Sequence, residues 1–174
     1  MNRNRLWALI MALSVWIVAG DVHAQSTPLK VGESVGAWTF RCQAVTPEQN
    51  ICGLVQVLVN NETKQQALRA VIRPISLGDP NKMGLYVVLP LGIFLAPGIA
   101  GKVDEHEQFS FVLQTCTQNG CEAAVDLDDK LQGLMRAGKQ LVVGYKPARG
   151  AQTVGVSVSL NGFTAGMRAL QKSP

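Results

Sequence analysis

The stretch "MGLYVVLPLGIFLAPGIAG", residues 83–101, runs nineteen positions without a charged side chain, between Lys82 and Lys102. A run of that length can cross a bilayer as a helix, so the way it folds decides what kind of protein the chain can be. It holds Pro90 and Pro97 in its interior, together with Gly84, Gly92, Gly98 and Gly101. In water an interior proline costs a helix about 3 kcal/mol and a glycine about 1 relative to alanine, and a membrane softens that penalty without cancelling it. The run therefore reads as strands: "LYVVL", a bend at Pro90 to Gly92, then "IFL", with Pro97 and Gly98 in the two central positions of a tight turn. An unbroken apolar strand such as "LYVVL" is expected to be covered on both faces, in a core.

The flanking sequence supports the same class. "AWTFRC" alternates large apolar with polar residues, "ICGLVQVLVN" is rich in valine, and the turn-prone "VTPEQN" lies between them. "ALRAVIR" sets Leu68, Ala70 and Ile72 against Arg69, Val71 and Arg73, with Pro74 too close for a helix of useful length. "QFSFVLQ", "EAAVDL", "LVVGYK" and "TVGVSVSL" add further strands. One segment has helical spacing: in "LDDKLQGLMRAGK", Leu127, Leu131, Leu134 and Met135 share a face, acids sit near the start and Gly138 offers a stop. "GFTAGMRALQK" closes the chain with a short helical turn. Eight or so short strands with little helix argue an all-β sandwich with one or two short helices.

The N-terminus has the form of an export signal: Arg3 and Arg5, an apolar stretch from Leu6 to Ala19, and a small-residue cleavage site at Val22-His23-Ala24. Residues 1–24 are expected to be cleaved, 25–35 to form a flexible leader, and 36–174 to make one domain with no transmembrane span. Cleavage removes two positive charges and one negative, lowering the net charge from +4 to +3. No run of lysine or arginine points to nucleic acid. Export also gives the cysteines their meaning. Cys42, Cys52, Cys116 and Cys121 are even in number in an oxidising compartment, which predicts two disulfides. Three pairings are possible, and proximity favours Cys42 with Cys52 and Cys116 with Cys121. The second pair encloses "TQNG", read as a four-residue hairpin loop with Gly120 at positive φ.

Several motifs, in this order, resemble the invasion-associated locus B family of bacterial envelope proteins: "AWTFRC", "CGLVQVLVN", "LPLGIFLAPGIAGKVD", "NGCEAAVDLDDKL" and "VSVSLNGFTAGMRAL". The resemblance runs from about Trp38 to Leu170. It implies an immunoglobulin-like β-sandwich in the periplasm, secreted or at the outer envelope, an envelope or host protein as partner, and a link to host-cell entry. It supplies no catalytic residue, metal ligand or cofactor.

The residues themselves offer little chemistry. His106 lies in "VDEHEQ", where Asp104, Glu105 and Glu107 are too close in sequence to converge on a metal from an extended loop. Asp126, Asp128 and Asp129 are explained as helix-start acids. Ser157 continues a strand alternation and is not in a nucleophile elbow. Cofactors are not expected, and binding is favoured over catalysis. The alternatives are an envelope-maintenance or chaperone-like role, and a hydrolase using scattered carboxylates such as Glu122 and Asp126. Among the aromatics, Tyr145, before Lys146 and Pro147, is the candidate for an exposed contact.

Overall fold

A computed structural model describes residues 29–76 and 79–172. The signal segment and residues 25–28 of the leader lie outside the described residues. The described residues form ten strands and two helices: β1 (Ser34–Val35), β2 (Trp38–Ala44), β3 (Asn50–Val59), β4 (Gln66–Ser76), β5 (Asp79–Leu89) and β6 (Ile99–Val103). After these come β7 (Phe109–Thr117), β8 (Gly120–Asp126), α1 (Asp129–Ala137), β9 (Gln140–Tyr145), β10 (Val154–Ser159) and α2 (Phe163–Leu170). The strands pair antiparallel in the order β1-β2-β3-β4-β5-β8-β7-β6-β9-β10. They form a β-sandwich whose two sheets share β7: Phe109 to Phe111 pair with β6 in the smaller sheet, and Val112 to Thr117 pair with β8 in the larger.

Alternation decides which face of each strand is inside. Trp38 and Phe40 on β2, Leu54 on β3, and Leu68, Ala70 and Ile72 on β4 are all buried, and each is separated from the next on its strand by an outward residue. The uncharged run behaves differently. Every residue from Met83 to Leu89 is buried, as expected for a strand flanked by partners on both edges and covered on both faces. Met83, Leu85, Val87 and Leu89 join the main core; Tyr86 and Val88 point the other way and are covered there. The segment after it departs from expectation. "IFL" forms no strand; Phe94 alone makes an isolated bridge to Lys146, because the turn at Leu91-Gly92 leaves too few residues before the next turn. In that second turn Gly98 N–H donates to Leu95 C=O, so Ala96 and Pro97 are the central pair and Gly98, at φ 79°, follows them.

Residues 29–35 are tied down more than a flexible leader would be. Gly32 N–H donates to Phe40 C=O, Phe40 N–H to Glu33 C=O, and Ser34 and Val35 pair with β2. The end of the chain is also more ordered than a helical turn. α2 is two full turns, and its buried face of Phe163, Gly166, Met167 and Leu170 lies on the inner side of β2 and β3. Phe163 meets Trp38 edge-on, ring centroids 6.4 Å apart. The approach depends on glycine. At Gly162, with φ 86°, a Cβ would sit 2.1 Å from the Val35 carbonyl oxygen, where two chain segments cross.

α1 follows its predicted spacing. Asp128 caps it by accepting from Leu131 N–H at 2.7 Å, and Gly138 ends it with its N–H on Leu134 C=O. Asp104, at φ 43°, holds the next junction by accepting from the backbone N–H groups of Lys139 and Gln140.

The sheets are also stitched by one polar side chain. Gln56 on β3 faces inward and is buried; its Nε2 donates to Ser159 C=O at 3.0 Å and its Oε1 accepts from Ser159 N–H at 2.9 Å. That pair of bonds satisfies Ser159 at the free edge of β10, which among the described residues has a strand neighbour on one side only.

Candidate functional site

Both helices pack inward, so among the described residues the opposite face of β2, β3 and β4 carries no helix. Strand register sets what this face displays. Thr39, Val55, Val71 and Tyr86 lie in one row across β2 to β5, and Arg41, Gly53, Arg73 and Gly84 lie in the next. The result is a groove of about 720 Å³ whose floor is valine and isoleucine and whose charges are Arg41, Arg69, Arg73 and Glu122. Val57 is 52% exposed and Ile75 42%, an unusual degree of apolar exposure for one continuous face.

The guanidinium groups are held to different degrees. Arg73 stacks over the Tyr86 ring, Cζ 3.8 Å from its centroid, and its Nη2 lies 3.8 Å from Glu122 Oε1. The Tyr86 ring in turn occupies the space above Gly84, where a Cβ would come within 2.7 Å of it. This stack is why an outward tyrosine is only 8% exposed. Arg41 is exposed, on the strand nearest the sheet edge. The Nε of Arg69 is shielded from solvent and has no hydrogen-bond partner among the described residues. Cys42 and Cys52 are paired across β2 and β3 and form part of the groove wall.

The second disulfide, Cys116 with Cys121, joins β7 and β8. Its loop is tighter than the four residues expected: Thr117 pairs with Gly120, at φ 123°, leaving Gln118 and Asn119 as the turn. The pairing is the one proximity favours in both cases.

The other sequence candidates do not converge. His106 is exposed and borders a separate hollow of about 390 Å³ with Glu107, Asp126 and Asp128. No group of three or more His, Cys, Asp or Glu residues among the described residues is placed to hold a metal ion. Asp104 and Asp128 spend their carboxylates on backbone N–H groups. Ser157 is exposed on β10. Tyr145 is not the exposed contact its polar tip suggested. It is 8% exposed, packed in the core at the end of β9, and burial raises its pKa above the usual tyrosine value. No helix among the described residues is long and apolar enough to cross a membrane.

The groove was not visible in the sequence. Arg69 and Arg73 stand out as the polar half of "ALRAVIR", but only the β2–β3–β4 register brings Arg41 to them. A signal was available in retrospect: valine alternates with arginine on the outward side of β4, and glycine and valine share that of β3, so the outward residues there are not uniformly polar.

Comparison with known proteins agrees with the motifs. The family model described as Invasion associated locus B (IalB) protein matches residues 38–171. An invasion protein B homolog of Brucella abortus (strain 2308) is 28% identical over 139 residues, covering 80% of this chain and 78% of the relative. Invasion protein B of Bartonella bacilliformis is 26% identical over 141 residues, covering 79% and 73%. The crystal structure of invasion associated protein b from Bartonella henselae superposes with a TM-score of 0.68 at 22% identity, covering 80% of this chain and 93% of that one, a likeness of fold. With the ordered motifs, the two disulfides and a match over nearly the whole described domain, this chain belongs to the invasion-associated locus B family.

Proposed function

We propose that the protein is exported by a cleaved N-terminal signal and acts in the periplasm or at the outer envelope by binding an envelope or host protein, without catalysing a reaction. The supporting observation is the outer-face groove, a concave surface of valines and isoleucines, with Val45, Val57 and Ile75 exposed, set with three arginines. Surfaces of this kind mark contact sites more often than they occur by chance. The names of the relatives, invasion protein B and its homolog, extend the proposal to a contribution to host-cell entry.

Site-specific photo-crosslinking in intact cells tests it, with the crosslinker at Val57 in the groove and, separately, at Ser157 on β10. The same cells are fractionated and the N-terminus of the mature protein is sequenced. The expected result is a mature chain beginning at Gln25 in the periplasmic or surface fraction, with a protein partner captured from Val57. Capture of periplasmic components alone replaces host entry with envelope maintenance. A substrate turned over by the purified protein, and lost on a single substitution, overturns the non-catalytic reading.

A further inference from the structure

What the groove can hold follows from its lining. Three guanidinium groups face one carboxylate, and that carboxylate, Glu122, is already engaged by Arg73. The occupant must therefore bring negative charge. The register places Gly53 between Arg41 and Arg73, with strand spacing setting their Cα atoms about 10 Å apart. A Cβ at Gly53 would lie 2.5 Å from the Ile72 carbonyl oxygen and 3.1 Å from the Arg73 Cβ. No side chain therefore stands between the two cations at this position, because β4 leaves no room for a Cβ. Arg73 is pre-positioned by Tyr86 and Glu122.

The rest of the floor is apolar, and at Val55 and Val71 its backbone is paired on both edges. Here β3 and β4 have ladder partners on both edges, so the middle of the face offers no main-chain N–H or C=O to a ligand. An extended peptide laid on these valines would cover its own amides without replacing their hydrogen bonds. A helix carries those bonds within itself and presents an apolar stripe with acids beside it. The outward positions of β4 from Arg69 to Ile75 span about 20 Å, which about 14 helical residues cover.

We propose that the groove receives an acidic amphipathic helix of a partner protein. Its apolar stripe lies on Val55, Val57 and Val71, and its carboxylates face the guanidinium groups of Arg41, Arg69 and Arg73 that line the groove. This rests on the binding role proposed above and specifies the chemistry of the partner.

The test follows the valine and isoleucine methyl signals of the disulfide-intact protein by NMR while four probes are titrated in. These are a 14-residue helical peptide with leucine at i, i+3, i+4 and i+7 flanked by glutamates, its lysine counterpart, the acidic peptide with two interior prolines, and dodecanoate below its micellar concentration. The acidic helix is expected to shift the methyls of Val55, Val57 and Val71. Arg41→Gln should weaken that binding about five- to tenfold. Arg73→Gln should do at least as much, but it also removes the stack on Tyr86, so the exposed Arg41 gives the cleaner comparison.

Equal binding of the proline-containing peptide, preference for the lysine peptide, shifts with dodecanoate alone, or no shift with any probe each overturns the proposal. The two levels fail separately. A partner captured from the groove in cells without acidic-helix binding removes the helix and keeps the binding role. Acidic-helix binding in solution with no partner captured in cells keeps the groove chemistry and removes the role.

Discussion

Replacing Gln56 should expose how strongly one side chain ties the two sheets together. Its amide donates to Ser159 C=O and accepts from Ser159 N–H, and the side chain is buried. Gln56→Leu removes both bonds, each a net contribution of about 1 kcal/mol, and strands two backbone groups at about 1 kcal/mol or more if water does not reach them. The expected loss is about 3 kcal/mol, or about 6 to 12 °C in Tm for a domain of this size. Gln56→Glu separates hydrogen bonding from packing. An ionised carboxylate at this position still accepts from Ser159 N–H but meets Ser159 C=O with no proton to donate, so folding favours the neutral acid and raises its pKa. Stabilisation by the neutral form is then fully present below the unfolded carboxyl value of about 4.3 and is lost as pH rises through the higher folded value. Urea unfolding of both variants and the wild type at pH 4.5 and 7.5, disulfides intact, measures it. The glutamate variant should lie closer to wild type at pH 4.5. A leucine variant within about 0.5 kcal/mol of wild type, or a glutamate deficit equal at both pH values, would refute the stitching role.

Three further outcomes are expected. Loop-closure entropy for sequence separations of 10 and 5 predicts that Cys42→Ala/Cys52→Ala loses about 2.8 kcal/mol and Cys116→Ala/Cys121→Ala about 2.2, and denaturant melts with non-reducing peptide mapping check both the order and the pairing. Gly162→Ala should cost far more than Gly92→Ala, because both have φ 86° but only Gly162 has a backbone oxygen where the Cβ must go; thermal melts with about 1 kcal/mol lost at Gly92 and more than 3 at Gly162 agree, and equal losses contradict. The raised pKa of Tyr145 means that its neutral form stabilises the fold below the unfolded tyrosine value near 10, and that this contribution fades as pH climbs through the folded value. Tyr145→Phe should remove one late-ionising phenol from an ultraviolet titration and flatten the alkaline fall in stability; an unchanged titration above pH 10 contradicts the burial argument.

What the sequence revealed divides along the range of the interactions. The β2–β3 hairpin, the fully covered β5 and the helix after Asp128 were legible because each depends on side chains within a few residues: paired cysteines, an uncharged valine-rich run, a cap followed by leucines at helical spacing. α2 was underestimated because its N-cap is Gly162, with no capping side chain, and its stability comes from Phe163 packing on Trp38 and Gly166 on Leu54, far away in the chain. Tyr145 was misplaced for a related reason. "YKP" looks like a strand leaving for solvent, yet its ring turns into the core while Lys146 holds Phe94 by a backbone bridge. The groove was the least legible feature. Arg41 and Arg73 are 32 positions apart and meet only after two hairpins have chosen their register. Gln56 gave no signal at all, since its partner is 103 residues away.

The order in which strands find their neighbours leaves a particular vulnerability. From β1 to β5 each strand pairs with the one just made, so this half can zip up hairpin by hairpin as the chain emerges. β5 then waits: its second edge is closed by β8, which arrives only after β6, β7 and the Cys116–Cys121 hairpin. Until then the most water-averse strand of the chain stands with one edge unpaired, the condition under which chains stick to one another. Pulse-labelled hydrogen exchange should show the β5–β8 amides protected after those of β3–β4. Oxidation of the second cysteine pair would shorten that interval, giving a bond of modest thermodynamic weight a second task as a guard against aggregation during export.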